Sequence, residues 1–271
     1  MLVICSGMKR SGSTWQFNAV SRLLELSQKT EIAGFLPDDE MELRTAELSK
    51  WADDSSTYHI VKTHAMFDSR KYGIAPEKVL TTYTYRDIRD AAVSVKRQFG
   101  ADGKRLIDIL DGSVEMFFWI RDLPNSLLQR YEDFTVDPQT AVEELATFLK
   151  LECSSADIDT VVDACSIESM KKVADNESKS LKKQLFHMIW HLNRKFPIKQ
   201  TLLKMGLSEN LWIRMRQRAN PYDSKTLLRP GHISNSLGAS ATWKERLSSD
   251  EIETIQSRYK EWFTATEYQL S

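Results

Sequence analysis

Leu2-Val3-Ile4-Cys5-Ser6-Gly7-Met8-Lys9-Arg10-Ser11-Gly12-Ser13-Thr14-Trp15 runs from a continuous apolar stretch through a turn with two cations into a segment where Trp15, Val20, Leu23 and Leu24 recur at helical spacing. Such a change of period predicts strand, loop, helix. At that junction backbone N–H groups and the helix dipole converge on an anion, so Gly7 to Thr14 has the position and composition of a phosphate cradle. Against the nucleotide-loop pattern G-x-x-x-x-G-K-[ST], Gly7, Gly12 and Thr14 fit, yet the lysine position holds Ser13. A kinase or NTPase loses its β- and γ-phosphate contact there. The positive charge sits inside the loop instead, at Lys9 and Arg10, within reach of the bridging oxygen of a leaving group.

Outward from this loop, Tyr58-His59-Ile60-Val61 and Val79 to Tyr85 are rich in β-branched and aromatic residues and read as buried strands. After Arg86 the spacing of Ile88, Ala91, Ala92 and Val95 becomes helical, with Asp87 as cap and an end near Phe99. A further strand is expected within Ser126 to Tyr131, and helices within Asp137 to Leu149 and Asp157 to Cys165. Asn220 to Ala241 reads as a loop, and helix resumes at Ser248, where Glu251 completes a capping box. Strands alternating with helices predict a three-layer α/β/α fold of P-loop-like type around a central parallel sheet. Ligands then sit beyond the carboxyl ends of its strands.

The composition, 41% hydrophobic and 28% charged over 271 residues, is that of an ordinary globular chain. We expect one domain over residues 1–271 with a divergent insert at 175–225. Cys5, Cys153 and Cys165 are too few and too far apart for a disulfide framework, and no His or Cys cluster has metal-ligand spacing, so no metal is expected. The apolar start is shorter than a secretory signal and no run has membrane-spanning length, which leads to an expectation of a cytoplasmic protein. A net charge of −1 argues against a nucleic-acid partner. Charge is nevertheless uneven: Ser178 to Arg218 holds ten Lys or Arg and the single acid Glu209. There Leu181, Leu185, Met188, Ile189, Leu192 and Phe196 form an apolar stripe beside basic faces. This is a helical, basic insert, read as a lid on the acceptor side or as a contact for a membrane or anionic surface.

Lys9-Arg10-Ser11-Gly12-Ser13-Thr14-Trp15 resembles the 5′-phosphosulfate loop of the sulfotransferases that use 3′-phosphoadenosine 5′-phosphosulfate (PAPS), often P-K-S-G-T-T-W. The resemblance implies that Ser11, Gly12, Ser13 and Thr14 hold the 5′-phosphate, that Trp15 stacks on adenine, and that Arg10 takes the place of the loop lysine that stabilises the bridging oxygen. Arg86 and Ser94, eight residues apart in Tyr85-Arg86-Asp87-Ile88-Arg89-Asp90-Ala91-Ala92-Val93-Ser94, resemble the family's 3′-phosphate motif. A strand-end Arg and a Ser two turns into the next helix can reach one phosphate. Tyr131-Glu132-Asp133-Phe134 with Asp137-Pro138 resembles the Y-E-D-L…D-P signature, which implies a contact of Tyr131 with adenine. Ser166-Ile167-Glu168-Ser169-Met170-Lys171 resembles S-F-E-x-M-K, with Ile167 in place of the aromatic that faces Trp15. Arg229-Pro230-Gly231 followed by Trp243-Lys244 is similar to the closing R-K-G…W-K segment, which implies that Arg229 and Gly231 bind the 3′-phosphate. The resemblance covers about residues 2–174 and 226–265.

Lys62-Thr63-His64 ends the strand from Tyr58 and resembles the family's K-T-H, which implies His64 as the base toward the acceptor and Lys62 as a positioning cation. A neutral imidazole suits that task near neutral pH. The expected activity is transfer of the sulfuryl group of PAPS to a hydroxyl or amine of a small-molecule, lipid or glycan acceptor, with release of adenosine 3′,5′-bisphosphate (PAP). His64, Arg10, Lys62 and Lys9 carry the chemistry in that reading. Two alternatives stand beside it at this point, a P-loop small-molecule kinase and a catalytically silent PAP-binding protein.

Overall fold

Strand β1 (Leu2–Gly7) is buried along its whole length, and it forms the centre of the sheet. β2 (Thr30–Phe35), β3 (Tyr58–Lys62), β4 (Val79–Tyr85) and β5 (Ser126–Arg130) complete it in the order β2-β3-β1-β4-β5, every neighbouring pair parallel. The structure is a computed structural model and describes residues 1–178, 225–228 and 240–270. Arg229, Gly231 and the apolar stripe from Leu181 to Phe196 lie outside the described residues. The chain divides into two compact units, Met1–Cys165 with Gly238–Ser271, and Ser166–Leu237.

In the larger unit, Leu2 pairs with both His59 and Val79, and Ile4 with both Val61 and Thr81, so β1 has a strand on each side. Side chains alternate across a strand, which puts Leu2, Ile4, Val79 and Tyr83 on one face. Helix α3 (Thr45–Asp53) covers part of that face through Leu48 and Trp51. Helices α4 (Ile88–Phe99) and α5 (Gly103–Arg121) cover the rest, joined by the carboxyl-terminal α10 (Trp243–Arg246), α11 (Ser249–Arg258) and α12 (Lys260–Thr266). On the opposite face α1 (Ser13–Ser27) packs with α7 (Pro138–Phe148) and α8 (Ser155–Ala164). Short helices α2 (Asp38–Met41) and α6 (Tyr131–Val136) follow β2 and β5. Each fully buried Leu, Val or Ile in these layers contributes roughly 1.5–3 kcal/mol.

The expected strands and helices are present with small changes of boundary. Asp87 caps α4 by accepting from the Arg89 N–H at 2.9 Å, and Ser248 with Glu251 forms the reciprocal capping box of α11. Several elements escape the sequence reading, among them β2 and α5, the strand and the longest helix that were missed. β2 is a half-exposed edge strand whose register shifts between Ile32 and Gly34, where Gly34 is left-handed at φ 86°, so no alternation marks it. In α5, apolar residues from Leu106 to Ile120 occupy most sides of the helix, which hides the period.

In the smaller unit, α9 (Ile167–Ser178) begins at Ser166, whose Oγ accepts from the Ser169 N–H at 3.3 Å. Ile167, the residue expected to face the base, is 42% exposed in its first turn.

Candidate active site

The chain leaves β1 through α1 for β2 and then β3 on one side, then crosses to β4 on the far side of β1, so the strand order reverses at the carboxyl end of β1. A crevice opens at such a reversal. The loop Met8–Gly12 fills its floor. Gly7 pairs with Thr84, and a Cβ at Gly7 would come 2.7 Å from the Ser13 Cβ and also strike Thr84 Oγ1. Gly12 is left-handed at φ 82°, and a Cβ there would lie 2.6 Å from Phe134 Cζ and 3.0 Å from Tyr131 Cδ2. Glycine is needed at both for approach, and at Gly12 for backbone shape as well.

Ser11 holds the loop closed. Its Oγ is 2.7 Å from the Met8 carbonyl oxygen, 2.9 Å from that of Thr84 and 2.7 Å from Thr84 Oγ1, and its N–H donates to Met8 O at 3.2 Å. The side chain is fully buried. Its hydroxyl is therefore committed within the protein rather than turned toward the crevice, and its part in holding a phosphate is to shape the loop. Gly12, Ser13 and Thr14 open α1, whose amino end has no side-chain cap and no acidic residue in its first turn. Both absences leave the helix end receptive to an anion.

Lys62, at the end of β3, is buried and donates from Nζ to Thr14 Oγ1. Burial pushes its ammonium down to about 7, Cys5 opposing the change and Arg10 adding to it. His64 lies two residues on, and its Nδ1 is 2.9 Å from the Gly7 carbonyl oxygen. A carbonyl only accepts, so Nδ1 carries the proton and Nε2 keeps its lone pair. Burial, then the charge of Lys62, lowers the imidazole well below its ordinary range, against the pull of the Gly7 carbonyl. His64 is thus neutral at neutral pH. It lines a cavity of about 540 Å³ with Lys9, Phe99, Ile109 and Met116. Burial also lowers the Lys9 ammonium, which Asp38 partly restores.

The second cluster forms across β1 from this one. Arg86 at the end of β4 is buried, and its guanidinium carbon lies 4.3 Å from the centre of the Tyr131 ring. Asp90 approaches Arg86 at 4.0 Å but also accepts from the Ala241 N–H at 2.7 Å, the Thr242 hydroxyl at 2.8 Å and the Trp243 N–H at 3.1 Å. It ties the carboxyl-terminal segment to α4. Ser94 is buried on the same helix, and its Oγ accepts from Arg10 Nε at 2.9 Å. Trp15 is half-buried and stacks on Phe134 with ring centres 4.5 Å apart and planes within 3°. Tyr131 meets Phe134 edge-on at 5.2 Å.

The described residues thus bring His64, Lys62 and Lys9 into one cluster and Arg86, Ser94 and Tyr131 into another, while Arg10 bonds to Ser94 and its charge bears on Lys62 and His64 as well as on Tyr131. Sequence reading missed Phe134, Thr84 and the anchoring role of Asp90. Phe134 sits inside the Tyr131-Glu132-Asp133-Phe134 motif, so a signal was there; nothing marks Thr84 in the sequence. Among the described residues no group of three or more His, Cys, Asp or Glu could hold a metal ion, and no helix is long and apolar enough to cross a membrane.

Comparison with known proteins places these features in context. Residues 2–202 match the sulfotransferase domain family. Cytosolic sulfotransferase 10 of Arabidopsis thaliana is 22% identical over 222 residues, covering 66% of this chain and 66% of that protein. Cytosolic sulfotransferase 8 of the same plant is 21% identical over 215 residues, 66% of this chain and 65% of the other. The chain therefore spans just under two thirds of the length of these relatives. A crystal structure of retinol dehydratase in a complex with retinol and PAP shares the fold, with a TM-score of 0.54 at 16% identity over 97% of this chain and 81% of that one.

Proposed function

Since the chain belongs to the sulfotransferase domain family, we propose that it transfers the sulfuryl group of PAPS to a small-molecule acceptor and releases PAP. The observation that carries this reading is the hydrogen bond from His64 Nδ1 to the Gly7 carbonyl, which leaves the Nε2 lone pair as the proton acceptor beside the phosphate loop. Gly12, Ser13 and Thr14 receive the 5′-phosphate at the amino end of α1. Arg86 and Ser94 receive the 3′-phosphate. Trp15 has one face on Phe134 and gives the other to adenine, while Tyr131 meets Phe134 edge-on. Arg229, Gly231 and Ile167 belong to this proposed nucleotide site by their motifs alone.

His64 Nε2 takes the proton of the acceptor hydroxyl or amine as its oxygen or nitrogen forms a bond to sulfur. The bond between sulfur and the bridging oxygen breaks, and that oxygen carries its electron pair away on PAP. Lys62 and Lys9 stabilise the charge that develops on the sulfuryl and bridging oxygens. The half-apolar lining of the cavity suits a small organic acceptor with one reacting group, which includes lipid and glycan head groups. A cytoplasmic location belongs to the same proposal, supported by the cytosolic sulfotransferases it resembles; an acceptor-side or anionic-surface role for 178–218 is proposed on its basic composition alone. The test is sulfate transfer from labelled PAPS to an acceptor panel. His64→Ala should lower kcat roughly 10²-fold or more and leave PAP affinity within a factor of about three. Undiminished turnover removes the base, and the absence of transfer to any acceptor with intact PAP binding favours a silent nucleotide-binding protein.

A further inference from the structure

Lys9 and Arg10 are adjacent in sequence and the loop delivers them to different places. Lys9 lines the cavity that holds His64. Arg10 donates from Nε to Ser94 Oγ at 2.9 Å, 84 residues away on α4. The backbone is the cause: Arg10 is left-handed at φ 73°, a conformation unfavourable for a residue with a Cβ and kept only where its surroundings fix it. A single left-handed residue turns the chain locally, and its side chain reaches Ser94 and the neighbourhood of Tyr131 while its charge still bears on Lys62 and His64.

We propose that Arg10 is a ligand of the nucleotide's 3′-phosphate, joining Arg86 and Ser94. The inference rests on the nucleotide reading above and refines it, because the loop position of Arg10 was expected to serve the bridging oxygen. Three features support it. Ser94, with its hydroxyl on Arg10, lies two turns into the helix that follows Arg86. The Tyr131 hydroxyl, raised chiefly by burial, is held down first by Arg86 and also by Arg10, so both guanidiniums lie near one ring. Two guanidiniums present forked donors suited to the several oxygens of one terminal phosphate, which a lysine matches only as a point charge. Arg10 would then confer selectivity for a bisphosphorylated over a monophosphorylated adenosine.

Isothermal titration with PAP and with adenosine 5′-phosphate tests this on the whole protein. Arg10→Gly is the informative variant, since glycine takes φ 73° without strain and the loop keeps its shape; Arg10→Lys preserves the charge and serves as a second check. Wild-type protein should prefer PAP, and Arg10→Gly should weaken PAP by about 10-fold or more while adenosine 5′-phosphate changes less than about threefold. Arg10→Lys should recover part of the lost preference. Adding Ser94→Ala to Arg10→Gly should cost less than Ser94→Ala alone, because the two share one ligand oxygen set. If Arg10→Gly weakens both nucleotides equally, or leaves both unchanged and lowers only kcat, Arg10 acts at the 5′ side and the proposal is overturned. If the wild-type protein itself shows no preference for PAP, the bisphosphate reading fails first, and the proposal with it.

Discussion

At the scale of single residues, Lys62 is the group whose chemistry the fold changes most. Its ammonium is 4% exposed and titrates near 7 rather than at the ordinary lysine value. The sign follows from proton binding: between pH 7 and about 10.4 the unfolded chain holds a proton that the folded chain has lost. The cost of burying Lys62 is therefore greatest below pH 7 and is relieved as pH rises through that window. An anion beside Nζ restores the proton. PAP binding at pH 8 should take up a substantial fraction of one proton, seen as a dependence of the titration enthalpy on buffer ionisation heat, and Lys62→Met should abolish it. Equal enthalpies in phosphate and Tris buffer for wild-type protein would place Lys62 outside the anion's reach. The candidate residues stood out in the sequence because Lys62, His64 and Arg86 fall at or just past strand ends and Ser94 lies two turns into the next helix. Which of Lys9 and Arg10 faces which group was not legible, since the sign of one φ angle leaves no mark on composition or spacing.

At the scale of elements, the carboxyl-terminal segment hangs on one carboxylate. Asp90, buried in α4, accepts from three donors of residues 241–243, while Arg89 beside it stacks 3.8 Å over the Trp243 ring and forks onto Asp87. Asp90→Ala leaves three donors without their acceptor. It should cost about 3 kcal/mol or more of unfolding free energy and raise amide exchange across 241–246 ahead of the sheet. A loss below about 1 kcal/mol, with exchange unchanged, would show that apolar packing of Trp243 suffices. Arg86 and Asp90 stand four residues apart and only 4.0 Å from each other, yet the stronger partners of Asp90 are about 150 residues away, a distance that local pattern cannot reveal. β2 was hidden for a related reason. A bulged edge strand has no buried face to enforce alternation, whereas β1, β3 and β4 are buried and announce themselves through β-branched runs.

At the scale of the molecule, the proposed nucleotide touches elements on both sides of the sheet reversal: α1 after β1, the end of β3, and α4 after β4. Anything that binds only the folded form raises its stability by mass action, about 2.7 kcal/mol at a hundred times Kd. PAP at that concentration should raise Tm by about 5 °C or more, and ATP with Mg²⁺ should not, because Ser13 stands where a γ-phosphate lysine is needed. The reverse ranking would favour a kinase. The parallel α/β architecture was readable from the strand and helix alternation alone.

The central place of β1 also bears on how the chain is made. The first strand to be synthesised in this sheet is the one that ends between two partners, and neither arrives until residues near Lys62 and Tyr85 have followed. During that interval Leu2, Val3, Ile4 and Cys5 form an apolar segment with both hydrogen-bonding edges open, the condition under which nascent strands pair with the wrong chain. Non-local parallel pairing is slow to form. Slower synthesis should therefore lower the soluble fraction less than rapid synthesis does, and soluble yield at two expression rates is the check.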